Sequence, residues 1–257
     1  MIKSKIEVTV SKNEVGRDFV IGDIHAHKKR FDRALASVNF DKQKDRLFCV
    51  GDLIDRGNKP LYILDLLKEP WFFSIIGNHE QFILSRYDLP LIANEESLST
   101  KGPKTRYEVV ELHENHNGGK WFGKLRDTAK RNIYKALKQL PYAITLESEK
   151  GRIGIVHAEV PRPIESWSEL IEKLSDSEVR EKAIWNINAI QECYDLGKSE
   201  SIEVKTTPRT IKGIELTVHG HATTHEPVIY GNQIWMDTGH IKNELTILEV
   251  NQLFEMI

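Results

Sequence analysis

The sequence predicts an α/β fold with a largely parallel sheet and a second, mixed or antiparallel sheet packed against it. Three short apolar runs, at Arg17–Gly22, Arg46–Val50 and Trp71–Ile76, are separated by segments with helical patterning. Apolar runs that alternate with helices are typical of parallel strands buried on both faces. Further β-rich runs begin near residue 143, and turn residues separate the last of them, which indicates the second sheet.

Two helices are predicted between the first three strands. The segment from Lys28 to Phe40 carries Phe31, Leu35 and Val38 at spacings of four and three, which is the pattern of an amphipathic helix. Residues 60–68 begin with a proline, which is favoured in the first turn of a helix. Further strands are predicted at Ala143–Leu146 and Arg152–Val156. The second sheet is expected in the tail, whose predicted strands are Leu216–His219, Val228–Tyr230, Gln233–Met236 and Leu245–Val250.

Between the third and fourth strands the pattern changes to a mostly helical insert at about 81–139. Residues 88–105 are rich in Pro, Ser, Thr and Gly and predict an exposed connection, and Asn117-Gly118-Gly119 breaks the later helices. We expect this insert to cap the site described below. The candidate site residues lie on both sides of the insert, from Asp23 to His221, so we predict one domain over residues 1–257.

Composition indicates a soluble globular protein. The chain has 257 residues, 40% hydrophobic and 29% charged, with a net charge of −2. This balance favours neither nucleic acid nor an anionic membrane as partner. The charged N-terminus does not resemble a signal peptide, and no apolar run reaches the roughly 18 residues of a membrane span. We therefore predict a cytoplasmic protein, in which Cys49 and Cys193 are free thiols.

Polar side chains follow the predicted strands where each strand ends. They lie in Gly22-Asp23-Ile24-His25, in Gly51-Asp52-Leu53-Ile54-Asp55-Arg56-Gly57 and in Gly77-Asn78-His79-Glu80, and His157 and His221 follow two later strands. In α/β folds ligands gather outside the carboxyl ends of strands, so we expect these side chains to converge. Asp, His and Asn suit Mn, Fe or Zn. Two such ions about 3.5–4 Å apart can hold a phosphoryl group and activate water.

Each of these residues also has a simpler interpretation when taken alone. Asp23 and Asp52 could cap helices, Asn78 could be a turn residue, and His157 could be a hydrogen-bonded core histidine. The joint occurrence of five segments, each with a metal-ligand type at a strand end, is not explained by capping. The pattern therefore predicts a metal centre.

The same motifs resemble the metal-dependent phosphoprotein phosphatase (calcineurin-like phosphoesterase) superfamily. The short chain, Val156-His157-Ala158-Glu159 and Gly220-His221-Ala222 are most similar to the bacterial and bacteriophage lambda type of serine/threonine phosphatase. The resemblance covers about residues 18–240. It implies a sandwich of two mixed sheets flanked by helices, with a dimetal site at the strand ends. It also implies two divalent ions, of which Mn is expected and Fe or Zn are alternatives.

The resemblance implies a role for each motif residue. The metal ligands would be Asp23, His25, Asp52, Asn78, His157 and His221, with Asp52 shared by both ions. His79 would be the general acid, and Asp55 would orient it. Arg56 would bind the phosphate oxygens through its planar fork, with Asn78 also at the substrate. The expected reaction is hydrolysis of phosphate monoesters on phosphoserine or phosphothreonine proteins or on small phosphoesters.

The sequence departs from the family pattern at two positions. Ala26 replaces a glycine that usually follows the first histidine, which is tolerable if its φ is negative. The lambda-type phosphatases carry a phosphate-binding arginine after the Trp185-Asn186 pair, where this chain has Ile187. Arg162 or Arg209 could replace it. His27 and His219 lie beside ligands, and we interpret both as outside the metal coordination.

Three other functions stay open. The first alternative is hydrolysis of dinucleoside polyphosphates such as diadenosine tetraphosphate. Trp121, Phe122 and Tyr107 could stack a base there, or could form the core of the insert. A metal-bound interaction protein without turnover is disfavoured because His79 and all ligand positions are intact. A nuclease is disfavoured because no basic stripes are evident.

Overall fold

The computed structural model describes residues 5–89, 105–198 and 208–257. It contains two mixed β-sheets with helices around them, which confirms the predicted fold class. The strands are β1 (Glu7–Val10), β2 (Asp18–Ile21), β3 (Arg46–Cys49), β4 (Phe72–Ser74), β5 (Ala143–Ser148), β6 (Gly151–Val156), β7 (Leu216–Thr223), β8 (Val228–Tyr230), β9 (Gln233–Asp237) and β10 (Ile247–Glu249).

The helices lie mainly in the connections between these strands. They are α1 (Lys28–Ser37), α2 (Ile63–Leu66), α3 (Asn78–Asp88), α4 (Arg106–Glu111), α5 (Lys120–Gly123), α6 (Asp127–Leu137), α7 (Trp167–Lys173), α8 (Ser177–Trp185), α9 (Asn188–Lys198), α10 (Gly239–Lys242) and α11 (Val250–Glu255). A 3₁₀ turn at Pro60–Tyr62 precedes α2, and a π-helical turn at Leu112–His116 follows α4. The predicted helix at 60–68 therefore begins as a 3₁₀ turn.

The smaller sheet has the strand order β10-β2-β3-β4, and the larger one has the order β1-β5-β6-β7-β9-β8. Strands β2, β3 and β4 run parallel, as predicted. The prediction for the last strand was wrong, because β10 pairs antiparallel with β2 in the smaller sheet rather than joining the second sheet. Strand β1 was not predicted, and it pairs parallel with β5 at the edge of the larger sheet.

Strand alternation divides the apolar side chains of each sheet between two cores. Val20 and Phe48 face the other sheet and pack with residues such as Ile155 and Val218. Their chain neighbours, among them Leu47, belong to the core beneath the helices. Because successive side chains of a strand point to opposite faces, continuous apolar runs are what a sheet covered on both sides requires.

The helical insert is described from residue 105 onward, and most of the predicted connection at 88–105 lies outside the described residues. Helix α4 begins with a capping box, in which the Thr105 hydroxyl accepts from the Glu108 N–H and the Glu108 carboxylate accepts from the Thr105 N–H. Among the helices of the described ranges, none is long and apolar enough to cross a membrane. Cys49 and Cys193 are free thiols, the first of them buried.

Candidate active site

The predicted ligand residues converge at the carboxyl ends of the parallel strands. Asp23 and His25 follow β2, Asp52 follows β3, Asn78 begins α3 after β4, and His157 follows β6. Their side chains are buried. His221 departs from the prediction, because β7 continues past it to Thr223 with an irregular register between His219 and Thr223.

Asp52 lies at the centre of this group. One of its carboxylate oxygens lies 3.6 Å from His25 Nε2, and the other lies 3.4 Å from His157 Nε2. Two sets of potential ligand atoms, each within 4.8 Å of one another, share Asp52. The first set is His25, Asp52 and His79, and the second is Asp23, Asp52 and His157. One carboxylate shared by two sets of donors is the arrangement expected for two neighbouring metal ions.

The amide of Asn78 joins two histidines of the site. Its Oδ1 lies 2.9 Å from His157 Nε2 and 3.0 Å from His221 Nδ1. The backbone N–H of His221 donates to the carboxylate of Asp23 at 3.1 Å. The structure therefore brings all six predicted ligand residues into one connected cluster.

Backbone carbonyls orient the histidine rings. His25 Nδ1 lies 3.0 Å from the Ile54 carbonyl, and His157 Nδ1 lies 2.7 Å from the Val50 carbonyl. His157 has an acceptor at each ring nitrogen, since its Nε2 also lies 2.9 Å from Asn78 Oδ1. His25 Nδ1 must carry the proton, because a carbonyl can only accept, and its Nε2 keeps a lone pair directed into the site. This is the usual way in which a protein prepares a histidine ligand.

Two glycines allow the carboxylates to enter this cluster. A Cβ added at Gly77 would lie 2.2 Å from Asp52 Oδ1, and a Cβ added at Gly220 would lie 1.9 Å from Asp23 Oδ1. Both distances are far below a van der Waals contact, so any side chain at either position would displace a carboxylate. The motif glycine at 77 therefore allows the close approach of the Asp52 carboxylate.

Glu80 holds the loop that carries Asp52, a role that sequence analysis did not assign. Its carboxylate accepts backbone hydrogen bonds from Gly77 (2.9 Å), Asp52 (2.8 Å) and Leu53 (2.9 Å). Asp52 itself has a φ of +50°. Non-glycine residues rarely adopt this left-handed conformation, and they persist in it only where the surroundings fix them.

Ala26 also lies in the left-handed region, with a φ of +55°. The condition under which alanine would be tolerated there, a negative φ, is therefore not met. The backbone turns because Ala26 N–H donates to the Leu53 carbonyl at 2.7 Å, and because Gly57 packs against the carbonyl of His25. Alanine in place of glycine here carries a strain of roughly 1–2 kcal/mol.

Burial and neighbouring charges determine the electrostatics of the cluster. Burial, together with the carboxylates of Asp237 and Asp52, raises the pKa of Asp23 well above its usual value. Burial opposes ionisation of Asp52 too, but the imidazoles of His157, His79 and His25 outweigh it and lower its pKa. Burial lowers the pKa of His25 to about 3, so this ring stays neutral. A site with buried carboxylates and neutral imidazoles favours a bound cation.

Asp237 was not predicted as a site residue. It ends β9, is buried, and accepts from the Thr223 hydroxyl at 3.0 Å. Burial raises its pKa to about 6. Like the motif aspartates, Asp237 lies at the end of a strand, and this position in the sequence could have identified it as a candidate site residue.

The guanidinium of Arg56 lies among the predicted metal ligands. It donates to His25 Nε2 at 2.8 Å and to His79 Nε2 at 3.3 Å. The Nε2 lone pair of His25 is the one expected to bind a metal ion. A cationic group therefore fills part of the site that the donor set prepares for a cation.

His79 and Asp55 form a buried hydrogen-bonded pair. His79 Nδ1 donates to Asp55 Oδ2 at 2.7 Å, and both side chains are fully buried. Burial opposes protonation of His79, but the carboxylates of Asp52 and Asp55 outweigh it and raise its pKa. The predicted acid and its orienting carboxylate are thus in contact.

Two residues of the insert complete the environment of Asp55, and sequence analysis missed this role for both. His113 Nε2 lies 2.7 Å from Asp55 Oδ2, and Trp121 Nε1 donates to Asp55 Oδ1 at 2.6 Å. Arg86 donates to His113 Nδ1 at 2.8 Å, which leaves the proton of His113 on Nε2. Gly119 packs against this ring, since a Cβ there would meet it at 2.3 Å.

The three aromatic residues considered for base stacking differ from one another. Phe122 is buried in the helical core, Trp121 binds Asp55, and Tyr107 is exposed. His219 also lies away from the cluster, because its ring stacks on Trp235 and its nitrogens contact Thr217 Oγ1 and the Val156 carbonyl.

The arginines considered as replacements at position 187 are engaged elsewhere. Arg162 forms an ion pair with Glu192 at 2.8 Å, and Arg209 donates to the backbone carbonyls of Val160 and Ile164. Ile187 is about half exposed and follows Trp185, whose carbonyl lies 3.1 Å from His221 Nε2. The position of the family arginine is therefore beside the site, and neither arginine replaces its charge there.

Comparison with known proteins confirms the family expected from the motifs. The chain is 27% identical over 224 residues to serine/threonine-protein phosphatase 2 of Salmonella typhimurium strain LT2, with 86% of each chain covered. It is 28% identical over 225 residues to the protein of the same name from Escherichia coli strain K12, again with 86% of each covered. It is 34% identical over 87 residues to the symmetrical bis(5'-nucleosyl)-tetraphosphatase of Hamiltonella defensa, which covers 34% of this chain and 30% of the relative.

Solved structures share the fold. A crystal structure assigned provisionally as a diadenosine tetraphosphatase superposes with a TM-score of 0.58 at 19% identity, covering 96% of this chain and 95% of that one. A mutant cold-active protein tyrosine phosphatase superposes with a TM-score of 0.52 at 15% identity, covering 97% of this chain and 80% of that one. The calcineurin-like phosphoesterase profile matches residues 19–249. Since this match spans most of the 257 residues, the chain belongs to the calcineurin-like phosphoesterase family of metal-dependent hydrolases.

Proposed function

We propose that this protein hydrolyses phosphate monoesters with two bound divalent metal ions, of which Mn²⁺ is the expected one. The observation that carries the proposal is the connected cluster of six candidate ligand residues, with Asp52 at its centre and the buried His79–Asp55 pair beside it. Serine/threonine phosphatases are the relatives that match along most of their length. The proposed substrates are therefore phosphoserine and phosphothreonine proteins, in the cytoplasm.

The residues of the cluster fit the implied metal ions. Asp23, His25 and Asp52 would hold one ion, and Asn78, His157 and His221 would complete the second with Asp52. The Nε2 of His25 offers a lone pair, the Nε2 of His157 lies 3.4 Å from Asp52, and the carboxylates of Asp23 and Asp52 are buried among these rings. Bound divalent ions supply activation of water and neutralisation of phosphoryl charge.

The guanidinium of Arg56 would have to move away from His25 when a metal ion binds there. It now donates to the His25 Nε2 lone pair, which cannot serve a metal ion at the same time. We propose that Arg56 leaves this nitrogen in the loaded protein and binds two oxygens of the substrate phosphate, with Asn78 beside it. A planar guanidinium matches phosphate geometry in a way that lysine does not.

His79 would give a proton to the leaving oxygen of the ester. A departing alkoxide is a strong base, so a positioned acid contributes roughly 10²–10⁴ in rate. Asp55 would hold the ring so that Nε2 faces the substrate, because Nδ1 is bound to its carboxylate. The fixed hydrogen bonds of His113 and Trp121 would keep Asp55 itself in place.

Hydrolysis of dinucleoside polyphosphates is the second candidate function. The observation in its favour is the similarity to symmetrical bis(5'-nucleosyl)-tetraphosphatases, although that similarity covers only about a third of this chain. Trp121, one candidate for base stacking, binds Asp55 through its indole nitrogen.

The test measures phosphate release from para-nitrophenyl phosphate and a phosphoserine peptide, and formation of ADP, or of ATP and AMP, from diadenosine tetraphosphate. Each substrate is assayed with Mn²⁺, Zn²⁺, Fe²⁺ or no metal. We expect metal-dependent release from the first two, and Asp52→Asn to abolish it. Asp65→Asn, which changes an exposed aspartate paired with Lys68, is the control. Cleavage of diadenosine tetraphosphate to nucleotides without activity on the two monoesters would favour the second function, and a loaded protein inactive on all three substrates would contradict both.

Anomalous scattering from crystals of the Mn²⁺-loaded protein tests the number of ions. Two ions bridged by Asp52 are expected. A single ion, or ions away from the six residues, would contradict the ligand assignment.

A further inference from the structure

A cavity of about 310 Å³ adjoins the candidate active site at the beginning of α1. It is lined by His27, Lys29, Arg30, Arg33, Arg56, Gly57, Asn58 and Asn243. Half of these residues carry a permanent positive charge, and the lining contains no carboxylate within the described chain. A volume of this size is at the lower end of small-molecule sites.

Three of the four positive charges of this pocket, those of Lys29, Arg30 and Arg33, form no ion pair within the described residues. Arg30 donates to the Gly239 carbonyl at 2.8 Å and Arg33 to the Asn243 carbonyl at 3.4 Å, and both acceptors are uncharged. Within the described residues neither arginine, nor Lys29, forms an ion pair with a carboxylate. The neighbouring Lys28, which does not line the pocket, donates to Asp32 at 2.6 Å. The positive charges of α1 that line the pocket therefore have no carboxylate partner within the described residues, whereas Lys28, outside the pocket, is paired with Asp32.

Like charges gathered in one concave region repel each other unless an anion binds there. The first turn of α1 contains no acidic residue that could relieve this repulsion. Burial and the neighbouring Arg33 lower the pKa of Arg30, which agrees with a lack of counter-charge. The whole chain has a net charge of −2, so the cationic pocket is a local feature and not a consequence of composition.

Arg56 connects the pocket with the metal-ligand cluster. It lines the pocket and at the same time contacts His25 and His79 of the cluster. An anion in the pocket and a phosphate at the cluster would therefore be neighbours on either side of this arginine. The positive charge that lines the pocket therefore extends to the edge of the metal-ligand cluster.

We propose that this pocket binds a second phosphate group of the substrate while the first one is hydrolysed at the metal-ligand cluster. The proposal rests on the proposed function and narrows it to substrates with two phosphates close together. Lys29, Arg30 and Arg33 would contact the second phosphate through charge-assisted hydrogen bonds. The second phosphate could belong to a polyphosphate chain or to a neighbouring phosphorylated residue of a peptide, and the experiment separates these sources.

The experiment compares kcat/KM for three substrates relative to para-nitrophenyl phosphate, which has one phosphate. They are a singly phosphorylated peptide, the same peptide with two adjacent phosphoserines, and diadenosine tetraphosphate. The variants are Lys29→Gln, Arg33→Gln and their double variant, all loaded with Mn²⁺. Lys28→Gln is the matched control, because it removes the same charge from the same helix outside the pocket.

We expect the double variant to lower the relative kcat/KM of a substrate with a second phosphate by about tenfold, and mainly through KM. The singly phosphorylated peptide and the Lys28→Gln control should keep their ratios. Loss confined to the doubly phosphorylated peptide identifies peptide phosphate as the ligand, and loss confined to diadenosine tetraphosphate identifies polyphosphate. Unchanged ratios for both, or an equal loss in Lys28→Gln, would overturn the proposal.

A binding measurement keeps this test separate from the proposed function. Calorimetric titration of the metal-free protein compares tripolyphosphate with orthophosphate. The wild-type protein should bind tripolyphosphate more tightly, and the double variant should lose this preference. If the loaded protein hydrolyses none of the esters, the proposed function fails while this titration still decides whether the pocket binds polyanions. If the wild-type protein and the double variant bind tripolyphosphate equally, the pocket is not a polyanion site and the proposal is wrong.

Discussion

The imidazole of His113 donates from Nε2 to Oδ2 of Asp55 over 2.7 Å. This contact links the insert to the same carboxylate oxygen that orients His79. All three side chains are fully buried, so water cannot replace a missing donor easily. The bond therefore connects the fold of residues 105–139 with the position of the proposed acid.

We predict that His113→Ala slows the hydrolysis of esters with poor leaving groups by roughly tenfold to a hundredfold, within the range that a positioned acid contributes. Activated aryl esters should be affected less, because their leaving oxygen needs less protonation. His113→Gln should recover part of the loss, since its amide N–H can donate to Asp55. The measurement is the dependence of kcat on leaving-group pKa.

The exposed His116, three residues further along the same turn, offers the control. His116→Ala should leave the leaving-group dependence unchanged. A uniform slowing of all esters by His113→Ala, without recovery in His113→Gln, would show that His113 only stabilises the fold.

We predict that His79→Asn keeps the metal content and slows esters with poor leaving groups most. The Nε2 of His79 lies 3.7 Å from Asp52 Oδ2, which also places it near the metal ligands. Metal analysis of the purified variant beside the leaving-group series separates the two roles. Loss of one ion per chain would make His79 a ligand, and equal slowing for all leaving groups would argue against its role as acid.

The sequence could predict the metal-ligand cluster because its members are local features of strand ends. Asp23, Asp52, Asn78 and His157 each follow a strand whose apolar pattern is visible in the sequence. The first three follow neighbouring parallel strands of the smaller sheet, so their convergence follows from the strand assignments alone. His157 follows β6 of the larger sheet, and it reaches them because the two sheets pack together. His221 was found by the same reasoning, although its strand continues past it.

The environment of Asp55 could not be predicted in this way. His113 and Trp121 are 58 and 66 residues away from Asp55, and their positions depend on how the insert packs. The predicted sheet for β10 was wrong for a similar reason. An apolar run predicts a strand, but it does not show which strand it pairs with. The φ of Ala26 depends on the close packing of Gly57, which is also a contact between distant loops.

We predict that Ile187→Arg strengthens inhibition by inorganic phosphate by about tenfold or more, since a charge-assisted contact contributes about 1.5–3 kcal/mol. Ile187 is about half exposed and lies beside Trp185, whose carbonyl contacts His221. A new guanidinium there can reach an anion at the cluster. The measurement is the inhibition constant of phosphate at fixed metal concentration.

Val15→Arg adds the same charge at an exposed position on another part of the chain and serves as the control. It should leave the inhibition constant unchanged. An unchanged constant in Ile187→Arg would show that this position does not face the bound phosphate.

Asp237 gives a prediction for the metal-free protein that does not depend on turnover. Burial raises its pKa to about 6 in the folded chain, against an ordinary value of 3.8. Between these values the folded state binds more protons than the unfolded state, so stability falls as pH rises through this interval. From pH 5 to pH 8 the free energy of unfolding should fall by about 1 kcal/mol because of this group.

Asp237→Asn should remove that part of the pH dependence, as measured by urea unfolding in the presence of a chelator. Loading with Mn²⁺ should also reduce the pH dependence in the wild-type protein, because a bound cation favours the ionised carboxylates nearby. If Asp237→Asn and wild type lose stability equally between these pH values, the ionised carboxylate of Asp237 is not what destabilises the empty site.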